Sequence, residues 1–362
     1  MHSRTIKDRP PSDTEVPSVL HPVLDAVRTN CHISDARHAG EYTLCTYLLK
    51  MREYYRWEKG KPFSSTLSHA EVTHWLTERE QLWKDFEDRS FVDIPLGGVL
   101  HDPFASTAIN GSLAAAGYVY SAGLGHNSRP HFFFGELERT EKHRNFTLLV
   151  SGKEYARDLT APPAMSLGTT IFVRRESLRR MIWEKIEEWR WNRPANAMKN
   201  AIVAYDFDSD PCGSLERMTS EVMDVVRLHE IGEIMVRSRL GAAWEELLTC
   251  LPRSRAEIMA RAVRDHLADA LSTLPGLIRK ENPVALHYYI ANQSGMHREL
   301  FPSLVKAYEQ WISSGRLAAL DSIMAQSESH WMSVANRILD IFSAHPKQCQ
   351  PRIEALMADS KM

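Results

Sequence analysis

The chain has 362 residues, of which 43% are hydrophobic and 25% charged, with a formal net charge of −2. That composition can bury a substantial core in one large domain or two, and its near-neutral charge favours neither a polyanion nor a membrane surface as partner. No run of 18 apolar residues occurs, the polar N-terminus lacks a signal-peptide core, and the five cysteines are scattered without a Cys-x-x-Cys, so a reduced, cytoplasmic protein is expected.

Residues 1–19, with prolines, charges and serines, read as a flexible arm. From Pro22 to about Lys59 no proline intervenes, and Gly60 followed by Pro62 provides a stop, which predicts one long helix. Val27, Cys31, Asp35, His38, Tyr42, Cys45 and Leu49 form one stripe of it, and Ile33, Leu44, Tyr47, Met51 and Tyr55 belong to another. Apolar residues on both sides predict burial along much of its length. Buried ionisable groups are costly unless paired or bound to metal, and Asp35-x-x-His38 has the acid–histidine spacing of di-metal helical bundles. The uniform steps of three through His32, Asp35, His38 and Glu41 rotate around a helix, so one ion could take Asp35 with His38, or His38 with Glu41. The structural alternative is a satisfied polar layer.

Ser68-His69-Ala70-Glu71 is a capping box that opens a helix over 66–90. Between 91 and 175 glycines and β-type runs predict strands at 117–122, 131–137, 145–150 and 169–174, read as a small antiparallel element. The stretch Gly123-Leu124-Gly125-His126-Asn127 lacks the frame of a dinucleotide site, and no phosphate-binding glycine loop is present. His101, Asp102 and His126 fall in predicted loops. The helix at 176–191 mixes tryptophans and arginines, but Glu184, Glu187 and Glu188 cancel the charge, so no nucleic acid is expected and the tryptophans should pack inward.

The residues at 215–248 read as a helix carrying His229-Glu230-Ile231-Gly232-Glu233. Residues four apart share a helix face, so His229 and Glu233 form a ready pair of ligands, with Glu230 turned aside as a candidate acid/base. Gly232, poorer than alanine in a helix by about 1 kcal/mol, predicts the close approach of another helix or a ligand. A surface pair between Glu233 and Arg237 is the plain alternative, and a zinc-peptidase signature would need a histidine in place of Glu233. Further on, Ser254-Arg255-Ala256-Glu257 is a second capping box, whose helix runs to about Thr273 with His266 and Asp269 read as an exposed pair. A helix near 284–291 breaks at Ser294-Gly295, with His287, His297 and Glu299 around the break. A long helix spans 316–343, and 346–362 reads as a tail with room for a short helix.

The sequence thus predicts a mainly α protein, with a bundle-like core and a small antiparallel β element around 91–175, in one integrated domain over 20–345. The expected function is a metal-dependent cytoplasmic enzyme acting on a small molecule, with no nucleic-acid or membrane partner. Its ligands are His229, Glu233, Asp35 and His38, and Glu230 is the catalytic acid/base. Iron or manganese, for redox or oxygen-using chemistry, suits these donors; zinc, for hydrolysis, is the other possibility. A non-catalytic scaffold, binding through the tryptophan-rich helix or the glycine-rich loops, is the rival.

Overall fold

A computed structural model describes residues 15–125 and 129–362. Where the sequence predicts one integrated domain, the chain forms two compact units. The first comprises the described residues up to Glu188 together with Asp206–Thr219; the second comprises Trp189–Tyr205 and Ser220–Met362. The protein is mainly helical with β elements.

The first unit opens with α1 (His21–His38) and α2 (Leu44–Glu58) in place of the single helix predicted from Pro22. A 3-10 turn at Ala39–Glu41 and the extended Tyr42 separate them. Gly40 has little helix propensity, and the Thr43 hydroxyl starts a new helix by accepting from the Thr46 amide at 3.5 Å. The helix α3 (His69–Lys84) begins where the capping box predicts, with Ser68 Oγ accepting from the Glu71 amide at 3.4 Å. A hairpin that the sequence reading did not find, β1 (Ile94–Leu96) and β2 (Val99–His101), turns through Gly97 and Gly98 at φ +61° and +79°, a region that favours glycine.

After α4 (Ser106–Leu113) come β3 (Tyr118–Leu124), β4 (Pro130–Lys142), β5 (Thr147–Arg157), β6 (Ala164–Leu167) and β7 (Thr170–Arg174). Their order is β3-β4-β5-β7-β6, antiparallel except for the parallel β5–β7 pair. The predicted small antiparallel element is therefore a sizeable mixed sheet. Residues 158–169 supply the crossover that parallel pairing requires, and they include β6, whose Ala-Met-Ser-Leu sequence carries no β-branched signal.

Alternation along the strands divides the sheet between two clusters. Tyr118, Tyr120, Ala122, Phe132 and Phe134 pack with Val23, Leu24 and Val27 of α1, while Val119, Phe133, Leu149 and Phe172 form the second cluster. Val16 and Leu20 are buried in the first cluster, so 15–19 is not the free arm predicted; residues 1–14 and His126 lie outside the described residues. The helix α5 (Arg175–Asn192) follows, with Trp183 buried as predicted but Trp191 67% exposed.

Helices α6 (Ala197–Ile202), α7 (Pro211–Leu240) and α8 (Ala242–Cys250) come next; the second unit takes α7 from Ser220 onward. Gly241, at φ +66°, divides the helix predicted over 215–248. Ser254 Oγ caps α9 (Arg255–Ala268) through the Glu257 amide at 3.3 Å, again as the capping box predicts. A π-helical turn at Asp269–Thr273 joins α9 to α10 (Leu274–Arg279). Pro275 has no N–H to give the Leu271 carbonyl and its ring crowds that oxygen, which accounts for the widened turn.

The unit continues through α11 (Pro283–Ala291), α12 (Gly295–Leu300), α13 (Pro302–Ser314), α14 (Ala318–Ala344) and α15 (Cys349–Ala358). The predicted tail at 346–362 is part of the core. Ile353 and Met357, one turn apart on α15, are fully buried. The Met362 amide donates to the Leu300 carbonyl at 2.9 Å. No helix among the described residues is long and apolar enough to cross a membrane.

Candidate metal centre

The second unit brings α7 and α9 together at Gly232. A Cβ there would collide with the backbone carbonyl of Ala268, so this is the close approach that the glycine predicts. His229 and Glu233, on either side of it, face Asp265 and Asp269 across the joint. One ligand atom from each of His229, Glu233 and Asp265 lies within 4.8 Å of the others.

The imidazole is oriented from behind. His229 Nδ1 donates to Asp269 Oδ1 at 2.9 Å, while Nε2 lies 4.0 Å from Glu233 Oε1. Asp269 is fixed in turn by the Thr273 hydroxyl at 2.8 Å, across the π turn, and by the Tyr289 hydroxyl at 2.9 Å. An imidazole with one nitrogen on a carboxylate and the other facing acids has the arrangement of metal-binding histidines. A third of the His229 side chain is exposed, so the cluster can be reached from solvent.

Acids dominate the local charge. Arg264 Nε is 3.1 Å from Glu233 Oε1, but that oxygen has no aligned hydrogen-bond donor. Burial disfavours a charged His229, yet Asp269, Glu233 and Asp265 override it and hold its pKa up at about 10. Burial raises Glu233 to about 7 against the attraction of Arg264. Burial would also raise Asp265, but the His297 hydrogen bond and Arg264 hold it well below the usual carboxylate range. Asp269 is lowered too, as His229 and Thr273 outweigh its burial. A proton on His229 thus supplies part of the positive charge that the acids call for.

The remaining predicted residues are placed as follows. Glu230 is half-buried, and its charge helps to raise the pKa of Glu233. Asp35 and His38 belong to the first unit and His229 and Glu233 to the second, and each pair has its own partners. Asp35 Oδ1 accepts from the Leu159 amide at 2.8 Å; burial and the nearby Asp158 raise its pKa. His38 turns instead to Glu41, with Nδ1 2.8 Å from Oε1. Neither unit assembles the four-ligand set; Asp35 Oδ1 is held by the Leu159 amide, while its Oδ2 is buried without a hydrogen-bond partner. His266 and Asp269, predicted as an exposed pair, are both buried, and His266 lies 4.7 Å from Trp331 between stacked ring centroids.

Of the histidines around the helix break, His297 joins the cluster through Nε2, 3.3 Å from Asp265 Oδ2. His287 pairs with Tyr308, and Glu299 with Arg255. Ser294 Oγ, 2.5 Å from His297 Nδ1, gives the line Ser294–His297–Asp265 the residue types of a hydrolytic relay. That serine is, however, the N-cap of α12, accepting from the His297 amide, so its contact with the ring one turn on is a capping contact.

The fold and this cluster describe a two-unit, mainly helical protein with an acid- and histidine-lined centre in its second unit. Residues 22–174 match the N-terminal domain, and residues 179–360 the C-terminal domain, of a family of unknown function (DUF6866), and the chain belongs to that family. No curated protein and no solved structure matches it.

Proposed function

We propose that the protein is a metal-dependent enzyme whose ion is held by His229, Glu233 and Asp265 in the C-terminal unit. The observation that carries this reading is the Asp269 carboxylate behind His229 Nδ1, which leaves Nε2 facing two further acids. One imidazole nitrogen with two carboxylate oxygens suits manganese or iron, and zinc is compatible. Three protein donors leave positions for water and a small-molecule substrate. Iron or manganese would add redox or oxygen-using chemistry, and zinc would add activation of water for hydrolysis. Glu230, beside the ligands, is the candidate acid/base. Arg264 and the His229 proton supply the positive charge that a dication would take over, so loading the ion releases a proton.

The test is metal retention. Protein purified without a metal-binding tag, stripped, and reconstituted under reducing conditions is expected to keep stoichiometric manganese or iron through gel filtration. His229→Ala and Asp265→Asn should lose the ion while retaining the far-ultraviolet circular dichroism of the parent. A parent protein that keeps none of manganese, iron or zinc overturns the reading.

A further inference from the structure

Helices α6, α11, α12 and α13 of the C-terminal unit line a cavity of about 530 Å³, within the range of pockets that take small organic ligands. Ile290, Leu304, Val305 and Ile312 make much of its wall apolar. Lys199 and Arg298 bring two cations to it against one carboxylate, Glu309. Among the described residues Lys199 has no acidic partner, and the Arg298 guanidinium donates to the Ala291 carbonyl at 3.3 Å and to no carboxylate. Both cations are therefore available to an anion.

The cavity also shares its wall with the acid cluster. His297 lines it and sits 3.3 Å from Asp265. Gln293 lines it as well; its amide bonds the Tyr289 hydroxyl, which donates to Asp269.

We propose that this cavity is the substrate chamber, and that the substrate is a small organic acid with an apolar body. Its carboxylate is held by Lys199 and Arg298, and its body lies against Ile290, Leu304 and Ile312. Calling the occupant a substrate rests on the metal reading, whereas the affinity for the acid does not. Lysine and arginine recognise the charge, the apolar wall receives the body, and His297 marks the side nearest the ligands.

Decanoate and its uncharged counterpart decan-1-ol are suitable probes, followed by saturation-transfer NMR and calorimetry on the full chain. Metal-free protein is expected to bind decanoate. Lys199→Ala combined with Arg298→Ala should weaken it about tenfold or more while leaving decan-1-ol binding unchanged. Leu304→Trp, which fills the cavity, should abolish both. Manganese should broaden the resonances of bound decanoate in the parent but not in His229→Ala. Failure to bind decanoate, or equal binding by the double variant, overturns the proposal. Binding without broadening, in protein that demonstrably retains manganese, overturns the chamber assignment and spares the metal reading. Binding by protein that retains no manganese does the reverse, leaving an acid-binding site without the enzyme.

Discussion

Two buried charge clusters, one in each unit, follow opposite rules. In the N-terminal unit Glu154 and Arg174 are both fully buried, and the guanidinium donates to the carboxylate through Nε at 2.9 Å and a terminal nitrogen at 2.8 Å. Ser177 Oγ adds a donor at 2.8 Å, and the guanidinium lies 4.3 Å from the centre of the Phe133 ring. Burial alone would raise the pKa of Glu154, but Arg174 holds it down. That fork-to-fork pair is compensated from within the fold: each oxygen of its carboxylate accepts from Arg174 and from Ser177. In the C-terminal unit Glu233, Asp265 and Asp269 face Arg264 and a histidine kept charged by its neighbours. A proton can be exchanged for another cation, whereas a guanidinium fixed to the backbone cannot. Burial of charge is common to both clusters, and what separates them is whether the compensating charge can leave.

The largest test of that contrast is Arg174→Met, which strands Glu154 without its partner. It should lower stability by about 3–5 kcal/mol in urea unfolding, with Glu154→Gln on the same chain recovering much of the loss. A loss below about 1 kcal/mol would show that Arg174 does not carry that compensation. Gly232→Val sets a side chain against the Ala268 carbonyl and should cost about 3 kcal/mol, together with metal retention; a fully stable variant would mean that the helices do not meet there. Asp269→Asn keeps the shape of the side chain and removes the charge behind His229. It should weaken metal binding about 10–100-fold with the helical circular dichroism of the metal-free protein retained, and an unaltered affinity would remove Asp269 from the site.

The smallest effect is a pH slope in the N-terminal unit. Burial and the Glu154 charge push the Glu176 carboxyl up from 4.5 to about 7. The folded chain therefore holds a proton there between those values that the unfolded chain has released. Stability from this group is full below about pH 4.5 and is lost as pH rises through 7. Glu176→Gln should flatten that slope by about 1 kcal/mol between pH 4.5 and 8, allowing for partial exposure to solvent. A variant whose pH profile runs parallel to the parent would show that Glu176 titrates normally.

Local signals were legible in the sequence. Both capping boxes, at Ser68 and Ser254, start helices where their spacing says they should, and the odd glycine at 232 does mark a helix–helix approach. Half of the cluster could be read as well, because His229 and Glu233 lie one turn apart. Asp265 and Asp269 have the same spacing across the end of α9 and the π turn that follows it, and an acid pair at i, i+4 was the available signal. Which helix faced which was not legible, since the His229–Asp269 hydrogen bond joins positions 40 apart. Asp35 and His38 show the converse. Their spacing resembles a ligand pair, but after the break at Gly40 His38 lies 2.8 Å from Glu41, and one Asp35 oxygen accepts from the Leu159 amide of a distant loop while the other has no partner. The mixed sheet was missed at β6 for want of β-formers, so the parallel placement of β7 could not be deduced.

The contact at Gly232 and Ala268 bears on ionic radius. Two helices that meet backbone to backbone have no pliant side chain between them to compress or swell, so the side chains mounted on that joint hold a nearly fixed span. Manganese or iron fits a compact ring of donors. Calcium seeks six to eight oxygens at about 2.3–2.6 Å and would have to force the helices apart. For the ion proposed here the glycine would serve as a gauge, and calcium at equal concentration is expected to leave manganese in place. Displacement of manganese by calcium in a competition titration would mean that the joint yields and that size is selected elsewhere.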